Sequence, residues 1–444
     1  MPWAQVVSFG FGLVALLLAL WPRLEDKPGS AGQTVKRWSW PRLLKFPIFW
    51  LGVVFFAYVI AQALNPAWKL VLTPQVMYLA KQDYITWLPS GVDAPFERMN
   101  AWRMLCVWGG AWMLACALWT GLTRRAAVLR LLNFLVIGGT LLALVSILQK
   151  MTGTQEILWF IPSPSPMFHG TFVYKNHAAA HLNLICAAAL ALATWHHVRG
   201  LRHLERSTPA PVYFFAAIVC GVAVFMSGSR AAMLLLGGFV IVGALAYFIW
   251  RGRSRGVIGG DAATGIGGTA FVCLVALAAY FLNLGTSIDQ IRLLLDQKGK
   301  GTIEFRVMAR EATMELVQDK PLIGWGAGSF RHVFPFKQQN YPPIYRAHVR
   351  VMFWDHAHND PVQALAELGI LGLLAPALGL GWLLIRLLRA GALGQPAFLL
   401  LAIGLGLALA HGWVDFPLYN PAIFTTFTAL WIILVRWADL ERSR

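Results

Sequence analysis

Residues 354–385 read WDHAHNDPVQALAELGILGLLAPALGLGWLLI, a cluster of ionisable side chains followed directly by a long apolar run. A run of about 20 apolar residues is what an α-helix needs to cross a bilayer core roughly 30 Å thick. The stretch therefore predicts a membrane-spanning helix that begins next to Asp355, His356, His358 and Asp360. Charged and imidazole groups are costly at such a boundary and are usually retained for function.

The rest of the chain repeats this apolar pattern. Of its 444 residues, 58% are hydrophobic and 13% are charged, whereas soluble domains carry about 25% charged residues. We therefore predict an all-α polytopic membrane protein with about 11–12 transmembrane helices. The eleven apolar runs are residues 3–21, 46–64, 102–121, 127–148, 177–195, 211–227, 231–250, 266–284, 362–385, 397–414 and 421–435.

The formal net charge of +17 comes from basic residues that lie in alternate loops. Lysine and arginine concentrate in loops that face the cytoplasm, so we expect six basic regions inside, the N-terminus outside and the C-terminus inside. This distribution argues against a nucleic-acid partner and for contact with anionic membrane lipids, above all in the linker 22–45. The six regions are Arg23 to Lys45, Arg124 to Arg125, Arg199 to Arg206, Arg251 to Arg255, Arg386 to Arg389 and Arg436 to Arg444.

Two predicted external segments are longer than the other connections. Residues 285–360 separate the eighth and ninth predicted helices, and their helical periodicity from Ile288 to Val317, broken at Gly299–Gly301, predicts two further helices. Long loops of this kind are usually lids or binding elements. Residues 65–100 are predicted to be an interfacial loop with an aromatic belt. We treat residues 1–444 as a single transmembrane domain that carries the long periplasmic loop 285–360.

Polar residues on the external side could form a basic pocket for an anionic, lipid-linked substrate. Arg306 and Arg310 are one helical turn apart, so both can face one ligand. Arg230 stands in a very short turn between two apolar helices, on the side where basic residues are scarce. Each arginine could instead be a solvated or snorkelling charge. Further substrate-binding candidates on this side are Lys175, Asn176, His177 and His356, and His411 and Asp415 lie near the outer end of the tenth predicted helix.

The spacing His356-x-His358-x-Asp360 also resembles part of a metal-ligand set. Zinc usually takes three or four protein ligands, and a membrane bundle does not readily supply the others, so we expect neither metal nor cofactor. A histidine general base is the preferred interpretation, because an imidazole pKa of about 6.5 suits proton abstraction at neutral pH. The run Gly324–Gly328 follows no strand, so it predicts a turn that allows close backbone approach, for example to a ligand, rather than a dinucleotide site.

Taken in order, these motifs resemble the O-antigen ligase and O-antigen polymerase superfamily of bacterial envelope enzymes. The sequence departs from the family pattern at Met167-Phe168-His169, where an arginine is common, and in its eleven helices, where about twelve are common. The matching pieces, over roughly residues 100–435, are Gly170-Thr171-Phe172 with Asn176-His177-Ala178, Ser229-Arg230-Ala231, Arg306 ahead of Pro321–Gly326, His356–Asp360 ahead of Gln363 and Glu367-Leu368-Gly369, and His411 with Val414–Pro417.

The resemblance implies a metal-independent glycosyltransferase of the all-helical, lipid-phosphate-dependent type, in the bacterial inner membrane with its active site facing the periplasm. The donor would be a glycan on undecaprenyl diphosphate, and the acceptor a sugar hydroxyl of lipid A-core or of a growing polysaccharide. It further implies that Arg230 and Arg306 hold the diphosphate and that His358 activates the acceptor, with Arg310 and His356 as the nearby alternates. Ligase and polymerase share these motifs, so the acceptor stays open.

Two other classes of function are compatible with parts of this sequence. An anion or small-molecule transporter with a basic outer vestibule would need a site near the bilayer midplane, and neither broken helices nor charged residues are obvious there in the sequence. A non-catalytic envelope scaffold would tolerate alanine at the external arginines and histidines. Transfer of a glycan accounts for more of the motifs than either alternative.

Overall fold

The computed structural model describes residues 2–26, 34–73, 77–253, 300–347 and 350–442. Within these residues the predicted apolar runs are helices, as expected where each backbone N–H and C=O must find its partner inside the segment. The helices are α1 (Pro2–Leu20), α2 (Trp40–Leu44), α3 (Pro47–Leu64), α4 (Ala101–Gly121), α5 (Arg125–Thr152), α6 (Lys175–His203), α7 (Ala210–Met226), α8 (Arg230–Arg253), α9 (Lys300–Asp319), α10 (Phe330–Val333), α11 (Pro335–Gln338), α12 (Pro342–Tyr345), α13 (Asp360–Arg389), α14 (Pro396–Gly412) and α15 (Pro421–Arg442).

Eight of these helices are long and apolar enough to cross a membrane, and α7 and α14 are shorter apolar helices. The predicted all-α polytopic membrane protein is thereby confirmed. The predicted run 266–284 lies outside the described residues, as does the first of the two helices expected in the long loop. The second of those two helices is α9.

Short strands form four small sheets in the described residues. The largest has the order β4-β3-β5, with β4 antiparallel and β5 parallel to β3. The segment 65–100, predicted as a loop, therefore contains a folded three-stranded sheet, and its interfacial position with an aromatic belt stays a prediction. The strands are β1 (Arg23–Asp26), β2 (Thr34–Arg37), β3 (Pro66–Leu72), β4 (Met77–Lys81), β5 (Gly91–Asp93), β6 (Glu156–Ile157), β7 (Ile161–Pro162), β8 (Arg346–Ala347) and β9 (Arg350–Val351).

The chain divides into two compact units. The first unit comprises Met1–Thr123, Gly301–Ile385 and Leu418–Ile432, and the second comprises Arg124–Lys300, Arg386–Pro417 and Ile433–Arg444. The single domain over residues 1–444 stays a prediction.

The first unit has a core between the small sheet and the long loop. Helix α9 buries Ala309, Ala312 and Leu316, which are three or four residues apart and so lie on one face. Val92 of β5 joins the same hydrophobic cluster, and Trp68 of β3 packs against it. The described part of the long loop is thus folded, and it shares a hydrophobic core with the small sheet.

The second unit is built around α6, whose alanine-rich face allows close helix packing. Ala187 illustrates this, because a Cβ added to Gly404 of α14 would lie 2.2 Å from the Ala187 Cβ. Small residues at such contacts let two helix backbones approach each other closely.

Helix α13 is interrupted at Gly369, where φ is +66° and ψ is 179°. The amide of Ile370 donates to the carbonyl of Pro321 at 2.9 Å, and that of Leu371 to Leu322 at 3.0 Å. Tyr58 of α3 donates to the carbonyl of Leu368 at 2.7 Å. The sequence shows no obvious broken helix, and the structure corrects that expectation. Other parts of the protein form hydrogen bonds with the backbone groups that the break leaves unpaired within the helix.

Candidate active site

The start of α13 holds the histidine segment in place. Asn359 caps the helix, because its Oδ1 accepts the backbone N–H of Val362 at 3.0 Å. The carboxylate of Asp360 accepts the backbone N–H of Leu418 at 3.0 Å. Just before the histidines, Asp355 forms a 2.9 Å ion pair with the mostly buried Arg331. Both ends of the segment are therefore anchored.

His358 adopts a left-handed backbone conformation with φ of +51°. Such a conformation is uncommon for a residue other than glycine, and it recurs at functional sites where the surrounding structure enforces it. The half-buried imidazole lies edge-on to Trp354, with the ring centroids 5.8 Å apart. This geometry gives the ring a defined direction.

His356, two residues earlier, belongs to a polar network. Its Nδ1 lies 3.2 Å from Nε2 of Gln363, and its ring centroid is 5.3 Å from that of Tyr419. Gln363 is almost fully buried. The two histidines are thus held differently: His356 lies against buried polar groups, and His358 lies against an aromatic ring.

Glu367 is the centre of this network and is 1% exposed. Its Oε2 accepts from the Gly328 amide at 3.0 Å and from the Tyr419 hydroxyl at 3.1 Å. Its Oε1 accepts from Gln363 Nε2 at 3.2 Å and from the Phe330 amide at 3.3 Å. Burial, together with the nearby carboxylates, raises the pKa of the Tyr419 phenol well above its ordinary value, so the hydroxyl remains a donor. A buried carboxylate is tolerated only when donors surround it in this way.

The glycine-rich turn closes over Glu367. Gly324, Gly326 and Gly328 all have positive φ, at +67°, +106° and +71°. A Cβ on Gly324 would lie 2.4 Å from the carbonyl oxygen of Glu367, and one on Gly326 would lie 2.4 Å from the Cα of Gly91. The close approach predicted for this turn is therefore real, and what it approaches is the protein's own backbone.

Arg306 and Arg310 occupy different positions on α9. Arg306 is half-buried and lies three residues before the buried Ala309, whereas Arg310 is exposed. Both side chains lie in the first unit with His356 and His358. The structure therefore distinguishes two arginines that the sequence presents as equivalent.

In the second unit, three cations lie near the ends of three helices. Arg230 is the first residue of α8 and Lys175 the first of α6, while Lys150 lies in the last turn of α5. Lys175 lies within electrostatic range of both Lys150 and Arg230. Ser229, immediately before Arg230, is 1% exposed, and its hydroxyl has no hydrogen-bond partner in the part of the chain that the structure describes. Cations grouped in this way can bind an anionic group.

Gly170-Thr171-Phe172 forms a tight turn beside this cluster. His169 and Phe172 exchange both backbone hydrogen bonds, at 2.9 and 3.1 Å. Gly170 has φ of +60°, and a Cβ there would meet Ser146 of α5. His169 is buried and its Nε2 lies 3.0 Å from the carbonyl of Ala223, to which it can only donate. Burial lowers the pKa of His169 to about 4, so it does not supply the charge of the arginine that the family pattern places nearby.

Asn176 and His177 pack against the loop after α14. The Asn176 amide donates to the Tyr174 hydroxyl at 2.8 Å and to the carboxylate of the buried Asp415. The His177 ring is edge-on to Phe416 at 4.8 Å. Asn176 therefore fixes the start of α6, and its role in substrate binding stays a prediction.

The predicted site residues thus fall into two sets. Arg306, Arg310, His356 and His358 lie in the first unit, and Lys175, Asn176, His177 and Arg230 lie in the second. Among the described residues, no three His, Cys, Asp or Glu side chains converge as a metal-ligand set.

Comparison with known families agrees with the motifs. Residues 215–377 match the family model described as O-antigen ligase. This segment is similar to the O-antigen ligase family. It contains Arg230, Arg306, His356, His358 and Glu367, and it confirms the resemblance to the O-antigen ligase and polymerase superfamily. No curated protein matches the chain.

The match indicates a membrane glycosyltransferase-type enzyme, and the O-antigen ligase family implies lipid-linked polysaccharide substrates. With eight helices of membrane-spanning length, the chain is a multi-pass bacterial membrane protein.

In the sequence, Gln363 and Glu367 stand out only as part of the family motif, and no pattern indicates a role for Lys150 or for the pair Arg331–Asp355. A carboxylate inside an apolar run was the available signal for Glu367, because such groups are rarely retained without a purpose. Lys150 had no comparable local signal, since its significance depends on its neighbours in space.

Proposed function

We propose that the protein transfers a glycan from undecaprenyl diphosphate to a sugar hydroxyl at the periplasmic face of the inner membrane. The observation that carries this proposal is the grouping of Lys150, Lys175 and Arg230 at adjoining helix ends. A diphosphate leaving group gains negative charge as the glycosidic bond breaks, and fixed cations stabilise that charge.

Arg230 has the main role in this proposal. A guanidinium binds two phosphate oxygens at once, whereas a lysine acts as a point charge. Arg306 is assigned to the same diphosphate by the family resemblance, and its half-buried position on α9 supports it over the exposed Arg310. Lys175 and Lys150 supply additional charge, so charge stabilisation does not require a divalent ion.

His358 is proposed as the general base that takes the proton of the acceptor hydroxyl. Its enforced backbone conformation favours it over His356, because a base must hold a fixed position within about 3 Å of the proton it removes. His356, which contacts Gln363, is proposed to maintain the backbone conformation of the histidine segment at the start of α13.

The test is an assay of purified protein with a defined undecaprenyl-diphosphate glycan and two acceptors, lipid A-core and the free glycan chain. Transfer to the first identifies a ligase, and transfer to the second identifies a polymerase. We expect Arg230→Ala and His358→Ala to lower the rate at least about a hundredfold, and Arg230→Lys to retain part of it. Arg130→Ala is the matched control, since Arg130 is exposed on α5.

Three outcomes would contradict the proposal or one of its parts. Retained transfer in Arg230→Ala or His358→Ala would remove the assigned roles. Equal losses in Arg306→Ala and Arg310→Ala would remove the distinction between these arginines. Loss of activity in EDTA, restored by a divalent ion, would overturn the metal-independent mechanism.

The break in α13 does not support the alternative that the protein is a transporter. Transporter sites use the backbone groups of a broken helix to bind their cargo, and at Gly369 the amides that follow the break are bonded to Pro321 and Leu322. Flux of an anion through proteoliposomes that lack any lipid-linked glycan would reverse this judgement.

A further inference from the structure

A second basic pocket lies at the other end of α6 from Lys175. It is a cavity of about 290 Å³ formed by the last turns of α6, the first residue of α5 and the start of α14. All of its lining residues belong to the second unit. The proposed transfer reaction makes no use of it.

Three arginines converge on this cavity. Arg125 and Arg199 both lie over the ring of Trp195, each with its guanidinium carbon 5.5 Å from the ring centroid. Arg202 also lines the cavity, and it makes no ion pair within the residues that the structure describes. The lining carboxylate Glu441 pairs with Arg125 at 3.4 Å, and Arg199 pairs at 3.6 Å with Glu205, which lies outside the lining. The cavity therefore carries an excess of positive charge.

The cavity lies at the ends of two membrane-length helices, which is the depth at which lipid headgroups are expected. Arg125 begins one membrane-length helix and His203, which also lines the cavity, ends another. Tryptophan is enriched at this depth, where its ring meets the apolar region and its edge meets water. Basic pockets between transmembrane helices are suited to anionic headgroups, since arginine forks bind phosphate oxygens in pairs.

We propose that this pocket binds the phosphodiester headgroup of an anionic phospholipid. The guanidiniums of Arg199 and Arg202 contact the phosphate, and Trp195 supports the guanidiniums of Arg125 and Arg199 from below. A free inorganic phosphate shares the same charge chemistry, but it lacks the acyl chains that would lie along the apolar helices.

The test uses full-length protein, purified in detergent and stripped of lipid. Its thermal unfolding and its bound lipid, counted by native mass spectrometry, are measured with phosphatidylglycerol, with phosphatidylcholine and with inorganic phosphate. We expect phosphatidylglycerol to bind and to raise the unfolding temperature, and the other two to do neither. Equal stabilisation by inorganic phosphate would overturn the lipid assignment, and equal binding of phosphatidylcholine would overturn a role for charge.

Variants then locate the site. Arg202→Gln and the double change Arg199→Gln with Arg202→Gln should weaken phosphatidylglycerol binding at least about tenfold, whereas Arg206→Gln, an exposed arginine outside the cavity, should not. Arg202 makes no described ion pair, so the single change tests the pocket even if the double variant unfolds. Unchanged binding in Arg202→Gln, with its unfolding temperature in lipid-free detergent also unchanged, would overturn the proposal.

Discussion

Nε2 of Gln363 lies 3.2 Å from Nδ1 of His356. The hydrogen bonds of the Gln363 amide determine which ring nitrogen of the neutral His356 carries the hydrogen. Oε1 of Gln363 accepts the backbone N–H of Ala357 at 2.9 Å, so the other end of the amide must be its NH2 group. An amide nitrogen only donates. His356 therefore accepts at Nδ1, and its neutral imidazole carries its hydrogen on Nε2.

Gln363→Met should make His356 easier to protonate. The change removes the amide donor that faces Nδ1 and keeps the length of the side chain. In the variant, a proton on Nδ1 of His356 therefore no longer points at the N–H of an amide. We expect ¹⁵N NMR of histidine-labelled protein to show the His356 signal titrating at a higher pH than in the unmodified protein. Gln339→Met, at an exposed position, is the control. An unchanged His356 titration would show that the amide does not set its protonation.

Glu367→Gln should destabilise the first unit although the two side chains have the same shape. The carboxylate accepts from Gly328, Phe330, Gln363 and Tyr419, and an amide would turn its NH2 group towards two of these donors. Leaving buried donors unpaired costs about 1–3 kcal/mol each, so we expect a clear fall in unfolding temperature. Glu311→Gln on the exposed side of α9 should change little. Equal unfolding temperatures in the two variants would contradict this account of Glu367.

Gly326→Ala should destabilise the protein, and Gly381→Ala should not. At Gly326, φ is +106° and an added Cβ would lie 2.4 Å from the Cα of Gly91, so backbone would have to move. At Gly381, inside α13, nothing lies within 4 Å of the added Cβ, and alanine favours a helix by up to about 1 kcal/mol. We expect Gly326→Ala to cost about 2 kcal/mol or more in detergent unfolding experiments. A neutral Gly326→Ala would mean that the turn over Glu367 can relax.

The membrane helices were predictable because their signal is local. Each needs about 20 apolar residues in a row, and the sequence of a helix such as α5 or α6 shows this without reference to any other segment. The sheet in residues 65–100 has no such local signal. Its strands are short, and β3 is stabilised by pairing with β4 and β5 and by packing on the core of α9.

The break at Gly369 could not be read from its own sequence. Residues 362–385 form one continuous apolar run, and the break is stable only because Pro321, Leu322 and Tyr58 supply partners from elsewhere. The glycine turn shows the same limit: its close approach was predictable from Gly324–Gly328, but its partner Glu367 was not.

For the site, sequence indicated the residue types and the structure separates their positions. Histidine and arginine in these motifs predicted proton transfer and anion binding. Which of Arg306 and Arg310 is half-buried depends on the face of α9 that packs on the core, and periodicity alone did not settle that face.

The folded protein should lose stability in acid because of His169, whose Nε2 donates to the carbonyl of Ala223. Burial lowers its pKa in the folded protein from 6.5 to about 4. Between these values the unfolded chain binds a proton at this residue and the folded protein does not, so unfolding becomes more favourable as the pH falls.

The loss should begin as the pH falls through about 6.5, be complete near pH 4, and amount to on the order of 3 kcal/mol. His169→Gln keeps a donor for the Ala223 carbonyl and does not titrate, so its unfolding temperature should fall less than that of the unmodified protein between pH 7 and pH 4. His203→Gln, at an exposed position, should follow the unmodified protein. Parallel curves for His169→Gln and the unmodified protein would show that this buried imidazole does not control acid stability.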